Sequence, residues 1–86
     1  MKLLYIQDNQ IVGVMASIDK FEIIDPSATY INVNDQKIEL KDTWFDRIII
    51  LDQIFEDKIM ATSIRYDKDL KKLLYSTNIT SYNFIT

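Results

Sequence analysis

Thr43-Trp44-Phe45-Asp46-Arg47-Ile48-Ile49-Ile50-Leu51-Asp52-Gln53-Ile54-Phe55 is the densest apolar run of the chain, and it holds the only Trp and two of the four Phe. It supports two readings. As a helix, Thr43-x-x-Asp46 matches an N-terminal start signal with Thr43 as the cap. At about 100° per residue, Trp44, Ile48, Leu51 and Phe55 then share one stripe, widened by Phe45 and Ile54. Asp46, Gln53 and Asp57 lie opposite, while Ile50 and Asp52 fit poorly. As a strand, Arg47–Phe55 is a β-branched run, and Glu56-Asp57 turns it into Lys58–Tyr66. Consecutive Ile48, Ile49 and Ile50 favour the strand, because β-branched side chains lose rotamer freedom in a helix. Cap and period agree on a helix near residues 43–56, and that is the reading adopted.

Upstream, the chain reads as hairpins. Lys2–Ile6 and Gln10–Ile18 flank Asp8-Asn9, a pair that tolerates positive φ and so makes a tight turn without glycine. Gly13 inside the second strand reads as a bulge, a close backbone approach or, equally, a neutral small residue. Phe21–Ile24 is a short strand closed by Asp25-Pro26-Ser27-Ala28, where Pro26 presets φ for a turn. Thr29–Val33 and Lys37–Lys41 alternate cleanly around Asn34-Asp35-Gln36, so pattern and turn chemistry agree on a hairpin.

Downstream, Lys58–Tyr66 alternates as a strand and Asp67-Lys68-Asp69 breaks it. Leu70–Tyr75 has both helical spacing, through Leu70, Leu73 and Leu74, and the look of a returning strand. Thr77–Thr86 is rich in Ser, Thr, Asn and Tyr, and its Ile79, Tyr82 and Phe84 suit an edge strand. An uncharged edge of this kind pairs or aggregates unless covered, so it is expected to pair within the domain or with a partner.

Composition narrows the function classes. Eighty-six residues make one expected domain. His and Cys are both absent, which removes thiol nucleophiles, Ser–His dyads and nearly all zinc sites. Absent cysteines also favour a reducing compartment. The apolar start Met1–Ile6 is interrupted by Gln7, Asp8 and Asn9, short of a signal sequence. No apolar run approaches the roughly 20 residues of a membrane span. The expected localisation is cytoplasmic. Ile supplies 15 of the 86 residues; with abundant Asn, Asp, Lys and Tyr this resembles the product of an A+T-rich coding sequence, as in a phage or mobile-element accessory protein.

The net charge of −3 hides an asymmetry. Residues 1–57 carry −6 and residues 58–86 carry +3, and after Lys72 the chain is uncharged. Such a split can orient a partner, although dispersed surface charge is the plainer account.

Candidate chemistry is thin. Asp67-Lys68-Asp69 places two carboxylates as a cation site would, but the glycine and terminal Glu of a calcium loop are missing, so a plain turn is expected. Glu56-Asp57 or Asp42 with Asp46 could act as acid and base only in a cleft that shifts one pKa. Asn78-Ile79-Thr80 matches a glycosylation acceptor, which is coincidence in a cytoplasmic chain. Tyr66, Lys68, Lys71, Lys72 and Tyr75 suit a small barrel that stacks single-stranded nucleic acid, but a pI near 4.7 weighs against it. The acids of 1–57 suit an acidic DNA mimic, diluted by five interspersed bases.

The expected fold is therefore α+β and β-dominated: a twisted antiparallel sheet of about 5–7 strands with one helix near 43–56. The alternative is an all-β meander forming a small barrel or sandwich. The expected function is non-enzymatic binding of a protein partner, or of a second copy, with no metal, cofactor or membrane. Trp44, Phe45, Tyr66, Tyr75, Tyr82 and Phe84 are the partner-binding candidates, since exposed aromatics anchor interfaces. For Trp44 and Phe45 the competing role is core filling on the helix stripe.

Overall fold

A computed structural model describes residues 1–81. The described residues form eight strands: β1 Lys2–Gln7, β2 Gln10–Met15, β3 Phe21–Glu22, β4 Tyr30–Val33, β5 Gln36–Glu39, β6 Arg47–Phe55, β7 Lys58–Asp67 and β8 Lys72–Ser81. Five of them make an antiparallel sheet in the order β2-β1-β6-β7-β8, and three make a second in the order β3-β4-β5. The two sheets share one core and, among the described residues, do not close into a barrel.

No helix occurs among the described residues, so the helix expected near 43–56 is wrong. Arg47–Phe55 is strand β6, held between β1 and β7. Its alternation explains why. Ile48 and Ile50 are fully buried on the core face, while Ile49 and Leu51 are half-buried on the other. A central strand gives apolar groups two faces, whereas a helix would have offered one stripe. Thr43 does not cap a helix either: its hydroxyl donates to the Phe45 carbonyl at 2.9 Å. Phe55, the far end of the expected stripe, is 67% exposed.

Turn chemistry carries the hairpins. Asp8, Asn9, Asn34 and Asp35 all take positive φ, between 50° and 64°, so the β1–β2 and β4–β5 connections are the tight turns expected of these residues. Pro26 sits in a turn closed by Ala28 N–H on the Asp25 carbonyl at 2.9 Å. Tyr5 pairs with Gly13 and Ile6 with Ile11, so Val12 is the extra residue of a bulge. Gly13 also marks a close approach. A Cβ there would lie 3.1 Å from the Tyr5 ring and 3.3 Å from the Trp44 ring.

The core joins Leu3, Ile48, Ile50, Ile64 and Leu73 of the large sheet to Ile31, Val33 and Leu40 of the small-sheet segment, with Ile18 and Phe45 from loops. Each such side chain contributes about 1.5–3 kcal/mol by leaving water. Backbone hydrogen bonds fix the layers together. Ile18 donates to the Met1 carbonyl at 3.0 Å, and Leu73 of β8 donates to the Pro26 carbonyl at 2.7 Å.

Candidate interaction surface

Strand β8 is an edge. It pairs with β7 in an unbroken register from Asp67 opposite Lys72 to Lys58 opposite Ser81, and no described strand lies on its other side. At ten residues it is longer than β2, the opposite edge, which has six residues and a bulge. Short, bulged or charged edges resist pairing with other chains, and β8 has none of these protections beyond Lys72.

The β7–β8 turn is built by one carboxylate. Asp67 Oδ1 accepts the Asp69 N–H at 2.9 Å and the Leu70 N–H at 3.1 Å. These amides, the Leu70 N–H first, hold the Asp67 carboxyl below its ordinary pKa against an opposing desolvation effect, and Arg65 adds to the lowering. Asp67 thus works as a turn acceptor, which accounts for the Asp67-Lys68-Asp69 pattern without a cation.

Leu73 fixes which backbone groups β8 presents. Its N–H reaches Pro26, away from β7. Backbone direction alternates along a strand, so Tyr75, Thr77 and Ile79 also turn their N–H and C=O groups outward, while Leu74, Ser76 and Asn78 bond to β7. The outward residues share the core-side face with Leu73, because side-chain direction has the same period. Tyr75 is 57% exposed and Ile79 61% exposed. Between them the Thr77 hydroxyl meets that of buried Thr62 at 3.2 Å.

The remaining candidates are dispersed. Trp44 is 57% exposed in the loop before β6, whereas Phe45 beside it is 7% exposed and belongs to the core. Tyr5, Trp44 and Phe45 form an aromatic triplet with ring centroids 4.9–5.1 Å apart. This cluster sits over β1 and β2, at the opposite side of the sheet order from Tyr75. Tyr66 is half-buried with the Lys41 ammonium 5.8 Å from its ring centroid. Lys41, Asp42, Tyr66, Lys68 and Lys71 line a shallow concavity of about 380 Å³. Tyr82 and Phe84 lie outside the described residues.

Asp46 Oδ2 accepts the Asp8 N–H at 2.8 Å, so it serves a loop contact. Among the described residues, no three acidic groups converge as a metal site would require. No helix long and apolar enough to cross a membrane is present among them.

The outer face of the large sheet, turned away from the small one, is apolar on the β2-β1-β6 side. Leu4 stands between Val14 and Ile49 in the register, and exposed Val14 continues the row to the edge. Toward β8 the same rows end in Ser63, Ser76 and Asn78. On this face the Arg47 Nε is buried without a hydrogen-bond partner, which nothing in the fold explains.

Sequence reasoning misses two features of this surface. It takes Ile79 only as strand-forming, although the spacing Tyr75-x-Thr77-x-Ile79 places it on the exposed row. Lys41 joins Tyr66 through long-range packing that leaves no local signal. Comparison with protein-family models, curated proteins and solved structures finds no match for this chain.

Proposed function

We propose that this chain is a small cytoplasmic, non-enzymatic interaction protein that docks a protein partner, or a second copy of itself, along the open edge of β8. The observation that carries this reading is the edge itself: ten residues, regular register, no charge after Lys72 and outward-facing Tyr75 and Ile79. An extended partner segment added there would gain main-chain hydrogen bonds from Tyr75, Thr77 and Ile79, with side-chain contacts setting specificity. The lack of His and Cys supports a binding role over catalysis. An accessory role in a phage or mobile element is an association with the Ile-rich composition.

The test is affinity capture from the native host, comparing wild type with Ile79→Lys and Val14→Lys. The expected result is a protein retained by wild type and Val14→Lys but lost with Ile79→Lys. Identical captured sets for all three would overturn the reading.

A second reading, single-stranded nucleic-acid binding, draws on Lys41, Tyr66, Lys68 and Lys71 meeting at one concavity. Phosphate contacts would make it salt-sensitive. Asp42 in the same concavity and the net negative charge favour the protein-docking reading. The acidic DNA-mimic reading has less support, since Asp25 and Asp46 are engaged in loop hydrogen bonds.

A further inference from the structure

We infer that the occupant of the β8 edge is the β8 edge of a second copy, paired antiparallel about a two-fold axis at Thr77. This rests on the docking reading above and names its partner.

Three observations select the arrangement. The first is parity. Only residues that turn their backbone outward can exchange hydrogen bonds across the new seam, and Leu73 bonded to Pro26 identifies them as Tyr75, Thr77 and Ile79. The axis must therefore pass through a residue and not between two.

The second is extent. The Pro26 carbonyl already occupies the outward N–H of Leu73, so the open stretch begins beyond that residue. Within it, Thr77 lies midway between Tyr75 and Ile79. Pairing about Thr77 sets Tyr75 of each copy opposite Ile79 of the other, on the same face. These are the two large exposed apolar side chains of the strand, and the symmetry makes their contact twice.

Charge is the third. At the turn end of β8, Lys68, Lys71 and Lys72 outnumber Asp67 and Asp69 and leave a net +1, while at its other end Ser81 pairs with Lys58, next to Glu56 and Asp57, which leave a net −1. Antiparallel pairing brings the lysine end of one copy toward the end of the other that carries those two acids. Parallel pairing would set the two lysine clusters side by side, which like-charge repulsion disfavours. Edge β2 suits a partner less well, being shorter and bulged.

The seam is short, so the dimer belongs to the weak end of interfaces and should be followed from micromolar to millimolar chain concentration. The probe is the full chain alone. Light scattering should show the mass rising from 10.2 kDa toward twice that value. Ile79→Lys should raise the dissociation constant about tenfold, from the loss of both symmetric contacts, with an unchanged circular dichroism spectrum. Because the chain has no Cys, the register can be read by crosslinking. Ser76 and Asn78 would face each other as a closely spaced pair, so an equimolar mixture of Ser76→Cys and Asn78→Cys should form a mixed disulfide while neither variant crosslinks to itself.

A monomer at every concentration, open-ended assemblies, self-crosslinking of either single variant, or a dimer indifferent to Ile79→Lys would overturn the inference. If the chain stays monomeric while Ile79→Lys still abolishes capture of a host protein, the copy-to-copy pairing fails and the docking reading stands. If capture is also unchanged, both fail.

Discussion

Leu73 donates its backbone N–H to the Pro26 carbonyl at 2.7 Å, which ties the first outward-facing residue of β8 to the turn before β4. Its side chain is fully buried in the core that both sheets share. Leu73→Ala removes that packing while leaving the backbone bond possible. It should destabilise the fold by about 2–4 kcal/mol, as large-to-small core changes do. Denaturant unfolding measures this, and a loss under about 0.5 kcal/mol, typical of surface sites, would contradict the placement.

Gly13 lies against the rings of Tyr5 and Trp44. Alanine at a strand glycine gains up to about 1 kcal/mol by restricting the unfolded chain. Overpacking costs about 1–3 kcal/mol where neighbours cannot yield. Tyr5 is half-buried and in contact with both Trp44 and Phe45, so overpacking should win. Gly13→Ala should lower stability by about 1 kcal/mol and change Trp44 fluorescence. A stabilised variant with unchanged emission would show that the triplet gives way freely.

Acid should loosen the β7–β8 turn. The turn amides, Leu70 foremost, hold the Asp67 carboxyl below its ordinary pKa. A depressed folded-state pKa contributes stability that is present above the unfolded value, near 4, and is lost as pH falls through the folded value. Thermal unfolding of wild type should therefore fall more steeply below about pH 4 than that of Asp67→Asn, which cannot titrate there. Parallel pH profiles would remove Asp67 from this role.

The hairpins were legible because Asp8-Asn9, Asn34-Asp35 and the alternating runs are local signals that act within a few residues. The stretch from Thr43 to Phe55 was not, since its cap pattern and its helical period both arose by coincidence. Its true partners are β1, more than forty positions earlier, and β7. The choice between helix and strand was decided by two apolar faces that only distant strands could cover. The uncharged tail did indicate an edge. Its backbone parity depended on the Pro26 contact, which no sequence pattern announces.

The exposure of Trp44 separates the two readings of that stretch in solution. With β6 a strand, Trp44 sits exposed in the loop before it, while Phe45 is buried. Trp44→Ala should leave the far-UV spectrum free of helix and cost about 0.5–1.5 kcal/mol through lost ring contacts. Phe45→Ala should cost about 3–5 kcal/mol. Equal losses would mean that the two rings share one environment.

The open edge of β8 is tested most directly by residue-resolved amide hydrogen exchange on the dilute, monomeric chain. Leu74, Ser76 and Asn78, bonded to β7, should be protected, while Tyr75, Thr77 and Ile79 exchange quickly and gain protection as concentration rises. Uniform protection of all six amides at high dilution would show that the edge is already covered, and would contradict a docking role for it.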